Sequence, residues 1–302
     1  MKVFLAGGSG AIGVPLVRGL VAMGHQVTAL TRTPANAPKL HALGATPAVA
    51  DALDADALRR VVVAARPTHV IHELTALPKG GPKSARELEP TNRLRVDGTR
   101  HLIDAAVAAG AKRFVVGSFA LLGGAKERVP APARAAAEAM ASMESQVLEA
   151  SARHLFEGII LRYGMFYGPE NGMTDQMIAL ARRRLLPTVR GDRGLLPAIH
   201  LDDAASATIA ALERGAPGSL YDIVDDEPVS MSEIARAIAE SVGAPRPFAV
   251  PAWLPRLLSP YMARLLTIRL PLSNAKARAE LGWRPLYPTI RNGLAATVRR
   301  AA

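Results

Sequence analysis

Apolar residues in this chain fall into short runs separated by longer stretches where they recur every three or four positions. The runs at 2–6 (KVFLA), 26–31 (QVTALT), 68–73 (THVIHE), 113–118 (RFVVGS), 158–162 (GIILR) and 219–224 (SLYDIV) are short and rich in Val and Ile. That is the pattern of strands buried on both faces. Helical periodicity fills 12–24, 54–66, 92–109, 133–153, 174–185 and 202–214. Regular strand-then-helix alternation predicts a parallel, doubly wound α/β sheet. Right-handed crossovers then put helices on both faces. Beyond residue 165, prolines and glycines become frequent (Pro169, Pro187, Gly191, Gly194, Pro197) and helices dominate. The expected organisation is a doubly wound domain over 1–165, with a returning strand near 219–224. Interleaved with it is a smaller, mostly helical substrate-binding lobe over 166–302.

Composition narrows this picture. The 302 residues are 49% hydrophobic and 21% charged, ample for a core. No apolar run approaches the roughly 18–20 residues that cross a bilayer. The opening MKVFLAGG enters a strand directly, so no signal peptide is expected. The absence of cysteine excludes disulfides, thiol catalysis and cysteine metal sites, and favours a cytoplasmic location. The net charge is +11, but the arginines are scattered apart from Arg182–Arg184 and Arg299–Arg300, and aromatics make up only 4%. Anionic small ligands account for this balance better than nucleic acid does. The stretch 252–270 (AWLPRLLSPYMARLLTIRL) is apolar with spaced arginines. It suits a pair of helices capping a pocket, with a helix lying on a membrane surface as the alternative.

The strongest local signal is the loop GGSGAIG between the first strand and the first helix. Gly7, Gly10 and Gly13 are spaced G-x-x-G-x-x-G, and Gly8, Gly10 and Gly13 also fit G-x-G-x-x-G. Glycine lets the backbone approach a pyrophosphate and lets helix and strand pack closely. The helix N-terminus offers free N–H groups and the positive end of its dipole. A dinucleotide is therefore expected on Gly7, Ser9, Gly10, Ala11, Ile12 and Gly13, and the fold is expected to be of Rossmann type. NAD sites carry an Asp or Glu at the end of the second strand. Residues 1–50 contain neither, and that strand ends Leu30-Thr31-Arg32-Thr33. A guanidinium beside hydroxyls suits a 2′-phosphate. NADP(H) on Thr31 and Arg32 is the expectation, with NAD(H) as the alternative.

Most of the chain resembles the extended short-chain dehydrogenase/reductases, the group that includes nucleotide-sugar epimerases and dehydratases. The resemblance is carried by FLAGGSGAIG (4–13), VADALD (49–54), VIHELTA (70–76), VDGTRHLIDAA (96–106), RFVVGS (113–118) and LRYGMFYGPENG (161–172). It continues in IHLDDAASA (199–207), GSLYDIVDDEP (218–228) and NAKARAELGWRP (274–285). The resemblance implies that Asp51 and Ala52 sit beside the adenine. It implies that Glu73, Leu74 and Thr75 line the cofactor, and that Ser118, Tyr163, Gly164 and Met165 approach the nicotinamide.

Active members of that family use Ser, Tyr and Lys, the last two four residues apart on one helix face. The equivalent stretch here, ARAAAEAMASMESQVLEA (133–150), contains no Tyr and no Lys. The best register sets Met140 and Glu144 at those positions. It also sets Phe119, with Ser118 as its neighbour, where the Ser is expected. Three readings follow. The first is a reductase or dehydrogenase with relocated proton chemistry, acting on a small, hydrophobic carbonyl or conjugated substrate. Its candidate catalytic residues are Tyr163 and Ser118, with Tyr167, His200 and a buried Glu144 behind them. The second is a nucleotide-sugar epimerase or dehydratase, which the missing base argues against. The third is a non-catalytic NADP(H) sensor or partner-binding protein. The pocket is expected from the Tyr163 loop, 187–200 and 252–270, with Leu195, Leu196, Trp253, Leu257 and Leu258. Asp202 and Asp203 read as helix N-cap residues. His69 and His72 point to opposite faces of a strand and make a poor metal pair, so no metal site is expected. A homodimer is left open.

Overall fold

The computed structural model describes residues 1–78, 81–82, 84–121, 133–258 and 266–300. At its centre is a seven-stranded sheet built from β1 (Lys2–Ala6), β2 (Gln26–Thr31), β3 (Thr46–Val49), β4 (His69–His72), β5 (Arg113–Phe119), β6 (Glu157–Tyr163) and β10 (Leu220–Ile223). The spatial order is β10-β6-β5-β4-β1-β2-β3, and every pairing is parallel. The chain winds outward from β1 to β3, then returns to lay β4 on the other side of β1. The carboxyl ends of β1 and β4 are therefore the topological switch point, where doubly wound sheets bind their ligands.

Two apolar layers cover the sheet. On one face, Val3, Leu5, Ile71, Val115 and Leu161 pack under helices α1 (Gly13–Ala22) and α8 (Leu201–Arg214). On the other, Phe4, Val70, Phe114, Val116 and Ile160 pack under α3 (Ala55–Ala65), α5 (Thr99–Ala108) and α6 (Arg134–Ala152). The alternation of strand residues between these layers is the period of two that buried strands require. Fully burying each such side chain contributes roughly 1.5–3 kcal/mol. The helical pattern over 92–109 is realised as α4 (Glu89–Arg93), a π turn at Leu94–Gly98 and then α5.

The sequence pattern missed β3. Its four residues, Thr46-Pro47-Ala48-Val49, are few and include a proline. Proline lacks a ladder donor, and β3 tolerates it because it is an edge strand bonded only to β2. The second lobe has a small core of its own, in which Ile178, Leu186, Ile234, Ile238, Ile290 and Leu294 gather. That core joins α7 (Gly172–Arg182), α9 (Met231–Ser241) and the last helix, Ile290–Arg300. Helix α9 opens with a capping box, the Ser230 hydroxyl and the Glu233 carboxylate each accepting from the other's backbone N–H. Leu281 and Trp283 return to the sheet side, where the Trp283 indole donates to Ser206 Oγ on α8 (2.9 Å). Among the described residues no helix is long and apolar enough to cross a membrane.

Candidate active site at the switch point

The glycine loop leaves β1 at the switch point. Gly7 has φ +100°, a region L side chains rarely adopt, and a Cβ on it would lie 2.5 Å from the Glu73 carbonyl oxygen. A Cβ on Gly13 would collide with the Gly7 carbonyl, so the first helix can start only against a bare backbone. Ser9 is half-buried, Gly10 and Ala11 are exposed, and Ile12 anchors the turn in the core. The backbone N–H groups of Ala11 and Ile12, at the start of α1, make no hydrogen bond among the described residues. An unpaired pair of amides in a glycine-rich loop fits a pyrophosphate.

The residues expected beside the adenosine lie at the ends of β2 and β3. Thr31 is buried and its hydroxyl shares a hydrogen bond with Ser9 Oγ (3.3 Å), tying the end of β2 to the loop. Arg32 follows as an exposed residue with no ion pair among the described residues. The Asp51 Oδ1 atom accepts from the Leu53 amide (2.9 Å), which fixes its carboxylate, and Ala52 is buried beside it.

The residues expected beside the nicotinamide lie at the ends of β4, β5 and β6. The Leu74 amide donates to His72 Nδ1 (3.2 Å), and Thr75 is exposed. Ser118 is buried near the end of β5 and donates to Glu144 Oε1 on α6 (2.6 Å). Arg162, one residue before the end of β6, grips the same carboxylate with Nε on Oε1 (2.9 Å) and Nη2 on Oε2 (2.6 Å). Glu144, set by the family register at the lysine position, is therefore buried and neutralised by a guanidinium. Sequence reasoning had not singled out Arg162. The available signal was a charged residue at the end of an otherwise apolar strand, which needs a partner when buried. Met140, expected at the tyrosine position, is a core residue.

Tyr163 was expected beside the nicotinamide as a proton donor. The structure turns it inward at 2% exposure, its hydroxyl lying 2.9 Å from Glu73 Oε1 and 2.7 Å from Thr208 Oγ1 on α8. Burial and the neighbouring Glu73 carboxyl raise its pKa well above that of an ordinary phenol. A proton exchanged at this hydroxyl goes to Glu73 or Thr208. Glu73 itself follows β4 directly, and its carboxyl lies on the backbone of Gly117, where a Cβ would come within 2.6 Å of Oε1. Burial pushes the Glu73 carboxyl up to about 8, against the opposing effect of the Tyr163 hydrogen bond.

The remaining candidates are structural. The Tyr167 hydroxyl donates to the buried Asp225 Oδ2 (2.8 Å). His200 is 1% exposed, and burial lowers its pKa to about 4. It is also the N-cap of α8, Nδ1 accepting from the Asp202 amide (3.2 Å), so Asp202 and Asp203 belong to the first turn rather than the cap. Asp203 accepts from the Leu286 and Tyr287 amides (2.7 and 2.8 Å) and pins the C-terminal segment. Met165 lines a narrow apolar cleft with Phe166, Met173, Met177 and Met231. Of the expected pocket residues, Leu196 is fully buried, while Trp253 and Leu257 are 61% and 73% exposed. The side chain of Leu258 and residues 259–265 lie outside the described residues. Among the described residues no group of three His, Asp or Glu side chains is placed to hold a metal.

This architecture has known counterparts. A sequence model of the NAD dependent epimerase/dehydratase family matches residues 3–224. The 3-diazoavenalumate denitrifying reductase of a Streptomyces species is 40% identical over 97% of this chain and 99% of its own. The 2-alkyl-3-oxoalkanoate reductase of Stenotrophomonas maltophilia is 29% identical over 82% of this chain and 77% of its own. The structure of UDP-glucose 4-epimerase from Thermus thermophilus in complex with NAD superposes with a TM-score of 0.78 at 25% identity, covering 99% of this chain and 98% of that one. A switch-point glycine loop, a seven-stranded parallel sheet and full-length similarity to named reductases lead to one conclusion: the chain belongs to the NAD dependent epimerase/dehydratase family and is an oxidoreductase.

Proposed function

We propose that this protein is an NADPH-dependent reductase of a small, largely apolar carbonyl or conjugated substrate, working without the Tyr and Lys pair of its family. The observation that carries the NADPH assignment is the end of β2, where exposed Arg32 follows Thr31 and no Asp or Glu occurs in residues 1–50. Gly7, Ser9, Gly10, Ala11, Ile12 and Gly13 would hold the pyrophosphate, and Thr31 and Arg32 the 2′-phosphate. Asp51 and Ala52 would flank the adenine. Leu74, Thr75, Ser118 and Met165, with the backbone of Tyr163, would surround the nicotinamide. Bound NADPH supplies a hydride. The chain's own part is to orient the substrate, exclude water and manage a proton. A cytoplasmic location and a homodimer belong to this reading, and light scattering on the purified protein tests the dimer. The test of function is NADPH oxidation with a 2-alkyl-3-oxo acid. Turnover with NADPH at least about tenfold faster than with NADH is expected, and no turnover with either would remove the reading.

A second reading is favoured by the 40% identity to the denitrifying reductase. A carbonyl carbon that accepts a hydride also needs a proton at its oxygen. A diazonium carbon that accepts one gains a C–H bond while the C–N bond pair leaves with dinitrogen, and no proton is consumed. A helix without Tyr or Lys suits that chemistry. Release of dinitrogen from an aromatic diazonium salt, dependent on NADPH and on this protein, is the corresponding assay.

A further inference from the structure

Carbonyl reduction requires a proton at the reacting oxygen, and the two residues expected to manage it are both committed elsewhere. The Ser118 hydrogen goes to Glu144, so this hydroxyl can only accept. The Tyr163 hydroxyl is enclosed between Glu73 and Thr208. Glu73 differs from both. It stands at the switch point, its own carbonyl against Gly7, its carboxyl against Gly117 and its Oε1 beside Tyr163. Its Oε2, the atom nearest to Gly117, has no hydrogen-bond partner among the described residues and is not among the fully buried unpaired atoms, and Glu73 and Gly117 are each only partly buried.

Hydrogen counting indicates that this carboxyl carries a proton. Thr208 Oγ1 lies 2.7 Å from the Ala204 carbonyl, Tyr163 lies 2.7 Å from Thr208, and Glu73 lies 2.9 Å from Tyr163. Those three contacts need three hydrogens, and the two hydroxyls supply only two. With a proton on Glu73 the chain closes, Glu73 donating to Tyr163, Tyr163 to Thr208 and Thr208 to Ala204. When the two hydroxyls turn the other way, Thr208 donates to Tyr163 and Tyr163 to Oε1, the Thr208–Ala204 contact gives up its hydrogen, and the carboxyl proton stands on Oε2.

We propose that Glu73 is the proton donor of the reduction, with Tyr163 and Thr208 as positioning residues behind it. The inference rests on the carbonyl reading above. As the C–H bond forms from the hydride, the carbonyl π pair moves onto oxygen and takes the proton from Oε2. Glu73 is left as a carboxylate that accepts from Tyr163, and water reprotonates it. Burial, which holds the Glu73 pKa near 8, keeps the donor charged with its proton at neutral pH.

The test uses the full chain and a 2-alkyl-3-oxo acid as substrate, with Glu73→Gln, Glu73→Asp and Tyr163→Phe. Wild-type kcat/KM should fall as pH rises through about 8, where the donor loses its proton. Glu73→Gln should stay folded and bind NADPH like the wild type, yet lose roughly 10²–10⁴-fold in kcat with no alkaline limb. Glu73→Asp should recover part of the rate and the limb. Tyr163→Phe should move the limb upward, because its hydrogen bond holds the Glu73 pKa down. A Glu73→Gln variant that keeps its rate, or keeps the limb, overturns the proposal. If neither wild type nor variant binds NADPH, the cofactor reading has failed instead. Turnover of a diazonium salt but of no oxo acid would replace the carbonyl reading and this proposal with the second reading.

Discussion

Arg32 is the smallest unit on which the cofactor assignment turns. Its guanidinium is exposed at the end of β2 and no carboxylate competes for it among residues 1–50. Hydrogen bonds to charged groups contribute roughly 1.5–3 kcal/mol. Arg32→Ala should therefore weaken NADPH binding by at least about tenfold and leave NADH binding nearly unchanged, as read by fluorescence titration of both reduced cofactors. Equal losses would remove the basis for NADPH. At this scale the sequence was readable where a residue acts through its own chemistry, as with Gly7 and Gly13, whose backbone leaves no room for a Cβ. It was not readable where a residue acts through a partner far along the chain. Glu73 and Tyr163 are 90 positions apart and Ser118 and Glu144 are 26 apart, so neither pairing leaves a local pattern.

The α6–β6 brace belongs to the scale of elements. Glu144 and Arg162 join the helix to the strand in a two-pronged, mostly buried ion pair, with side chains 9% and 19% exposed. Breaking such a pair by removing one partner leaves a buried charge without compensation, at a cost of about 3–5 kcal/mol. Glu144→Gln should accordingly lower the unfolding free energy, read from urea denaturation, by about 3 kcal/mol. The double variant Glu144→Leu with Arg162→Leu should recover much of it. A single variant as stable as wild type would show that the pair does not hold the helix. The strand and helix periods were legible because each face of this sheet is covered by its own apolar layer. The β3 edge and the π turn at Leu94–Gly98 were not, since a proline in an edge strand and a one-residue slip in helical bonding leave the apolar pattern almost unaltered.

For the whole molecule, buried titratable groups set how stability follows pH. Burial raises Glu73 from 4.5 to about 8 and Asp225 from 3.8 to about 8. Between those limits the folded chain holds protons that the unfolded chain has released, so stability falls as pH rises. Burial lowers His69, His72 and His200 from 6.5 to about 4. Between pH 4 and 6.5 the unfolded chain binds the extra protons, so these residues make stability rise with pH. The two groups oppose each other below pH 6.5, and above it only the acids remain. Melting temperature should therefore decline from pH 6.5 to 8, and Glu73→Gln should flatten that decline. An unchanged slope would contradict a protonated Glu73. The parallel, doubly wound sheet follows from the alternation of elements, whereas the convergence of Glu73, Gly117, Tyr163 and Thr208 on one spot follows only from the switch point.

The central claim is that this protein delivers a hydride from NADPH to carbon. The most direct measurement is incubation with NADPH deuterated at the transferable position, with a 2-alkyl-3-oxo acid and an aromatic diazonium salt as alternative substrates, followed by mass spectrometry of the products. One deuterium on the product carbon of either substrate, absent with an Arg32→Ala protein at limiting cofactor, is the expected result. Tight NADPH binding with no deuterium transfer to either would contradict the claim and leave a protein that senses the cofactor without using it.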